Sequence, residues 1–444
     1  MSLMWGSEVI CLTNPWNFRN RDISVIFDEN IAKQLVTDMI DKEPRVRKAA
    51  CEILSNLLTQ HSRISAAISG VQLQFTNTLI EALQQEDTLG YCLSIATNLT
   101  FIWPSWNLQM VNEESYHPLL EAIWKVHENL KLFRDGLAII GNICHDSPQS
   151  SHRFVFQRDA MKILSKFHLY ILNRFRKWED QMEGEVYDTD MKECDWTQKS
   201  PEITQIIGVG RQLAWVLRMF VTKNKSRHIN ENKTLVIVKT IRLLTYLCFI
   251  PSLYIYESMV AAFESNHVIQ LLPILCAKKM VARLMVPIRY DWPIIFRLAT
   301  IKALIKFLTE WKNDDRCYQV IDKHILDDIF AISPRKTLNI CDNMSDAVKI
   351  IQHTTLFGLK MFRAHGFLTN YAINYCQKTI ELDVYTLGYS AVGALCQIAR
   401  SGNERHSLKL LRCDVFDTIT EAYDVYGEDM NHRIDDSVFN LLWG

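Results

Sequence analysis

The sequence predicts an all-α chain, a solenoid of stacked helical pairs, on three observations. Apolar residues recur at helical spacing almost throughout the 444 residues. Glycine and proline are scarce, at 15 and 11, roughly half of average usage. A similar helical segment also returns at intervals of a little over forty residues. The spacing sets the class. The shortage of glycine and proline removes the turn punctuation that a sandwich or barrel of short strands needs. The repeat sets the architecture: length alone suggests about three domains, but units that bury their stripes against neighbours share one elongated core.

Taken in chain order, Ile31, Leu35, Met39 and Ile40 share one helical face, and Val46, Ala50, Ile53, Leu54 and Leu57 form the stripe of a longer helix over 44–59. The polar turn between them ends in Pro44 at a helix start. The unit returns as 79–83, the turn 84–88 and 89–102, and again as 119–126, the turn 127–131 and 132–145. The long helices share an ending: Ser55-Asn56-Leu57, Thr97-Asn98-Leu99 and Gly141-Asn142-Ile143, with asparagines 42 and 44 residues apart. Helical units at that period are the signature of armadillo and HEAT repeats, and the expected fold is a right-handed armadillo-repeat α-solenoid. Segments 210–222, 240–248, 297–309, 353–364 and 389–400 read as further copies of the long helix. The solenoid is expected over 31–444 after an N-terminal extension, 1–30. Eight acidic residues against Lys192 alone mark 179–195 as an acidic loop, inserted at about 178–203.

The 49 Lys and Arg balance 50 Asp and Glu for a net charge of −1, without the basic surplus of a general nucleic-acid binder. A chain 48% hydrophobic and 22% charged is folded rather than disordered. Twelve scattered cysteines without a CxxC pair read as buried thiols in a reducing compartment. No basic stretch followed by an apolar run marks a leader, and no apolar run reaches the length of a membrane span. A soluble intracellular protein is expected.

No catalytic constellation emerges, so a non-enzymatic role without cofactor or metal is expected. Gly208-Val209-Gly210-Arg211-Gln212-Leu213 has leucine where a dinucleotide fingerprint needs its third glycine, and reads as a helix start. Cys144-His145-Asp146 puts three reactive residue types in a row, but adjacent residues leave a helix in different directions. The histidines show no ligand spacing. More telling are equivalent positions along the repeats, because in a solenoid one helix per unit lines a continuous surface. Asn56, Asn98 and Asn142 could form a ladder there, each amide offering donor and acceptor to an extended peptide; equally, they could satisfy neighbouring helix ends. Trp215, four residues before Met219 at the matching position, could stack on a basic stem or pack in the core. Asp146 could pair with a ligand cation or cap a helix. Lys223, Lys225, Arg227 and His228 read as a solvated loop.

The stretch Gly141-Asn142-Ile143-Cys144-His145-Asp146-Ser147-Pro148, followed by Arg153-Phe154-Val155, resembles the third armadillo repeat of importin-alpha. Ala214-Trp215-Val216-Leu217-Arg218-Met219-Phe220 and Leu244-Thr245-Tyr246-Leu247 resemble later segments of that family, and 390–398 and 414–422 are similar more loosely. The resemblance implies a nuclear-import adaptor of the cytoplasm and nucleus, with protein or peptide cargo and importin-beta as partners. In that family, tryptophans sandwich the lysine stems of a basic localisation peptide, asparagines clamp its backbone and acids take its ammonium groups. Asn98 and Asn142 match such asparagines, Asp146 the acid after the third repeat, and Trp215 a tryptophan of the ladder. No cargo role transfers to Asn56. Departures accompany the match. Ser94 and Ala138 stand at the tryptophan positions paired with Asn98 and Asn142, and Met219 at the asparagine position paired with Trp215. Arg242, Lys302, Gly358 and Gly393 stand where later tryptophans or their equivalents belong. Residues 1–30 offer only Arg19 and Arg21 in place of the family's basic importin-beta-binding segment, so the expectation is either a truncated chain or a diverged member that couples to importin-beta through other contacts. A non-transport armadillo scaffold joining other proteins is the competing expectation.

Overall fold

In the computed structural model, the described residues are 29–60, 71–102, 104–111, 113–146, 149, 154, 160–182, 201–223, 231–263, 278–289, 292–310, 327, 329–340, 344–365, 370–382, 384–400, 404–422 and 424–426. Among them every regular element is helical. The chain divides into two compact units, Met1–Trp106 and Asn107–Gly444.

The first unit holds α1 (Glu29–Asp38), α2 (Pro44–Gln60), α3 (Gln72–Ala82) and α4 (Leu89–Ile102). They form two copies of a short helix, a polar turn and a long helix. The long helices α2 and α4 pack together, as do the short ones α1 and α3. Pro44 opens α2 as expected, where a missing N–H costs nothing. The turns are fixed by side chains. Asp41 accepts the Glu43 N–H at 2.7 Å, and the Thr88 hydroxyl donates to the Ala82 carbonyl at 3.1 Å. Arg47 then links the two equivalent turns, donating to the Asp41 carbonyl and to the Asp87 carboxylate, each at 2.8 Å.

In the two N-terminal stripes the expected Met39, Ala50 and Leu54 are buried, while the rest of each stripe sits about one residue away from the sequence reading. In α1 the buried positions are Ala32 and Val36, followed by Met39, while Ile31 is exposed. In α2 they are Ala50, Cys51, Leu54 and Leu58, while Val46 and Ile53 are 39% and 45% exposed. An apolar residue next to a helical stripe fits the same period, and only the neighbouring helix decides which side is covered. Here α4 meets α2 through Cys51 and Cys92, whose sulfurs lie 3.8 Å apart, and through Ser55, whose hydroxyl donates to that of Ser94 at 3.0 Å.

A short helix, α5 (Pro104–Gln109), spans the boundary, and the second unit continues with α6 (Glu113–Lys125), α7 (Leu130–Asp146), α8 (Ala160–Met182), α9 (Pro201–Lys223), α10 (Glu231–Tyr246) and α11 (Leu253–Phe263). After these come α12 (Lys278–Leu284), α13 (Val286–Arg289), α14 (Ile294–Glu310), α15 (Pro334–Ile340), α16 (Met344–His365), α17 (Asn370–Ile380), α18 (Tyr385–Ala399) and α19 (Glu404–Arg412). Their packing resolves into two layers. In one, α7, α9, α11, α14, α16 and α18 lie side by side in that order; behind them α8 packs on α10, α10 on α12, and α15 on α17. This stacking of repeated helical pairs, each leaning on its neighbours, is the architecture of an α-solenoid.

The layers correct one assignment. Segment 240–248 belongs largely to α10, in the rear layer, and the helix that follows α9 in the long-helix layer is α11. Both segments are amphipathic, so the period alone could not rank them. The ends of the expected insertion are helical too: 178–182 lie in α8 and 201–203 in α9. Residues 183–200, nearly all of the 1–30 extension, and Lys225, Arg227 and His228 lie outside the described residues.

The core is a continuous seam between the layers. Leu137, Ile140, Leu213, Leu217, Leu244, Met259, Leu304 and Ile351 are fully or almost fully covered. Asn129 caps α7 by accepting the Leu132 N–H at 3.3 Å. Gly136 lets α7 approach α6 closely, since a Cβ there would stand 2.8 Å from the Ile123 side chain. Buried threonines such as Thr240, Thr245, Thr300 and Thr354 satisfy their hydroxyls on the carbonyl four residues earlier, so they sit in the core without an orphaned polar group.

Candidate peptide-binding face

Each long helix of the second unit is covered on its flanks by the adjoining long helices and behind by the rear layer. What remains is one stripe per helix at spacings of three and four. On α7 it comprises Arg134, Asp135, Ala138, Asn142 and His145; on α9 it comprises Thr204, Gly208, Arg211, Trp215, Arg218 and Thr222. On α11 it holds Tyr254 and Glu257, on α14 Lys302 and Lys306, and on α16 Lys349, Gln352 and Leu356. The 3.6-residue period generates these rows: the positions left over from burial are themselves periodic.

Trp215 occupies the middle of the α9 stripe, half-buried. Its six-membered ring lies against α7 at Gly141, where an added Cβ would stand 1.8 Å from a ring carbon. Only glycine admits that approach, and Gly141 is therefore the seat of the indole. His145 lies one turn on, its ring centroid 6.3 Å from that of Trp215. Asn142, next in sequence to the seat, is half-buried on the α7 stripe, and its backbone carbonyl accepts a 3.5 Å hydrogen bond from the Asn107 amide. The structure therefore brings Asn142 and Trp215 onto adjoining helices. Asp146 is the last residue of α7, one turn beyond Asn142; its side chain lies outside the described residues. In the first unit, Asn98 is half-buried and Asn56 exposed, on the open stripes of α4 and α2.

Several expected groove positions lie elsewhere. Met219 is buried at 4% exposure, so the open position after Trp215 is Arg218. Arg242 is exposed on the rear layer. Gly393 is buried, and Gly358 is filled from the side by the Phe330 ring, 2.7 Å from where a Cβ would stand. Lys302 does lie on the open stripe of α14. The sequence reading missed Arg211, Arg218, Tyr254 and Glu257, although the polar row Thr204, Arg211, Arg218 and Thr222 in α9 carries the signal that marks an exposed stripe.

The charges on this face are held by specific partners. The Arg218 guanidinium pairs with Glu257 at 3.0 Å and lies 5.3 Å above the Tyr254 ring, a cation–π contact that joins α9 to α11. Arg211 donates from Nε to the Pro251 carbonyl at 2.8 Å. Arg134 lies 3.7 Å from Asp135, whose carboxyl is pushed upward by burial more than the Arg134 charge pulls it down. Charges positioned in this way suit recognition of polar backbone and side chains. Among the described residues no group of three His, Cys, Asp or Glu is arranged to hold a metal ion, and no helix is long and apolar enough to cross a membrane.

Fold and face together define an α-helical repeat scaffold with a continuous open row of side chains. No family model matches the chain, and no curated protein matches it. Among solved structures, an engineered protein aligns over 93% of this chain and 99% of its own at 11% identity and a TM-score of 0.43. A chain from a structure of the cadherin and beta-catenin interaction, described in terms of a conserved phosphorylation switch, aligns over 95% of this chain and 98% of its own at 10% identity and a TM-score of 0.30. At these scores neither adds to the fold already described.

Proposed function

We propose that this chain is a non-enzymatic scaffold that binds an extended segment of another protein across the open face of its long-helix layer. The observation that carries the reading is the seat of Trp215 on Gly141 beside Asn142: a rigid half-exposed aromatic and a backbone-reading amide on adjoining helices. Aromatic anchors with adjacent amides are the chemistry of extended-peptide recognition, because the ring supplies area and the amide pairs with peptide N–H and C=O groups. Successive helices about 10 Å apart match roughly three residues of an extended strand.

The narrower form, implied by the importin-alpha resemblance, is an import adaptor coupled to importin-beta, whose cargo is a basic localisation peptide. Asn142 and Trp215 favour it. Arg211, Arg218 and Lys302 on the same face weigh against it, because they repel a basic peptide. Affinity capture on the purified chain, repeated with Trp215→Ala, tests the broader reading: partners lost with the indole support it, and an unchanged partner set refutes it. Recovery of importin-beta and a lysine-rich cargo would establish the narrower form.

A further inference from the structure

We infer that the segment bound on this face is acidic; the inference rests on the peptide-binding reading above. Among the described residues, the open stripes from α7 to α16 carry Arg134, Arg211, Arg218, Lys302, Lys306 and Lys349 against only Asp135 and Glu257. The whole chain has a net charge of −1, so this surplus is a property of one face and not of the composition. The two carboxylates are committed within the protein, Glu257 to Arg218 at 3.0 Å and Asp135 to Arg134 at 3.7 Å.

The cations outside these two pairs include Arg211 on α9, Lys302 on α14 and Lys349 on α16, with α11 between the first two bringing Tyr254 and Glu257. Lys302 and Lys349, on adjoining helices about 10 Å apart, pair with carboxylates about three residues apart on an extended chain, and Arg211, two helix spacings from Lys302, with one about six residues further along. Trp215, Tyr254 and Leu356 lie among them, giving apolar side chains of the same segment places to rest. A nucleic acid fits the pattern less well: binding its phosphates calls for a dense basic surplus, and here Arg134 and Arg218 are paired with carboxylates of the protein. Charge complementarity thus selects an acidic peptide with interspersed apolar residues, and rejects the basic one that a tryptophan–asparagine ladder would otherwise hold.

The test is fluorescence anisotropy on the full chain with three labelled peptides of equal length. One alternates glutamate with serine and leucine, and the others replace glutamate by glutamine or by lysine. The acidic peptide is expected to bind at least tenfold more tightly than the glutamine peptide and to weaken as salt is raised. The variant Arg211→Glu/Lys302→Glu/Lys349→Glu alters three positions on the open face, with an unchanged melting profile as the control for folding. It should abolish the preference for the glutamate peptide over the glutamine peptide. Equal binding of the acidic and glutamine peptides, or tighter binding of the lysine peptide, overturns the charge assignment and leaves the peptide face standing. Failure of all three peptides to bind overturns the peptide-binding reading itself. Preferential binding of a single-stranded oligonucleotide, lost in the triple variant, replaces the peptide by nucleic acid and also refutes the inference.

Discussion

Replacing Gly141 by alanine should destabilise the protein, although alanine is the better helix former. The gain in helix propensity is about 1 kcal/mol. Against it, the new Cβ would stand 1.8, 2.2 and 2.7 Å from three carbons of the Trp215 ring, where ordinary contact is about 3.5–4.0 Å. The indole must therefore retreat by roughly 2 Å, and helix α9 is held by α10 and α11 on its other sides. Overpacking of that kind costs about 1–3 kcal/mol, so the net change is a loss of roughly 0–2 kcal/mol. The sign is made decisive by a second background. In Trp215→Ala the ring is gone, the space is open, and Gly141→Ala should stabilise by up to about 1 kcal/mol. Urea unfolding of the wild type, both single variants and the double variant gives the coupling directly. A Gly141→Ala effect of the same sign and size in both backgrounds would mean that the indole does not sit on Gly141, and the description of the candidate face would fall with it.

The remaining predictions concern burial and charge. Leu217 is fully covered, and Leu217→Ala should cost about 2–5 kcal/mol; a change below roughly 1 kcal/mol would place α9 on the wrong face. In α2, Leu54→Ala should cost about 2–5 kcal/mol, whereas Ile53→Ala, at a site 45% exposed, should stay under about 1 kcal/mol; equal costs would restore the stripe read from the sequence. His168 lies at 6% exposure near Tyr246 and Arg283, and burial, then the charges of Arg283 and Arg176, push its imidazole down to about 4. The unfolded chain protonates first, so stability is full above the ordinary value of about 6.5 and is lost as the pH falls toward 4, by about 3 kcal/mol in all. Thermal melts of the wild type and His168→Leu should diverge across that interval; identical pH profiles would show that His168 is not desolvated.

Much of the architecture was legible in the sequence because helices and turns are local. The turns at 41–44, 84–88 and 127–131 separate helices where polar residues and Pro44 break the apolar period, and α2, α4 and α7 fall on the three segments that share an asparagine ending. The faces were less legible. Ile31, Val46 and Ile53 fit the amphipathic pattern as well as Ala32 and Cys51 do, and small buried residues carry little weight in a hydrophobic stripe. At the candidate site, Asn142 and Trp215 could be picked out by residue type. The role of Gly141 could not, because its reason for being glycine lies about seventy residues away on another helix.

The sequence by itself determined that this chain is helical, that its helices come in repeated pairs and that no charge surplus marks it overall; each follows from local periodicity or from counting. Tertiary structure alone decided which helices share a layer, which took 240–248 out of the front row and placed 253–263 in it. It also decided which charges share a face. Balanced composition says nothing about distribution, and distribution depends on which side of each helix its neighbours cover.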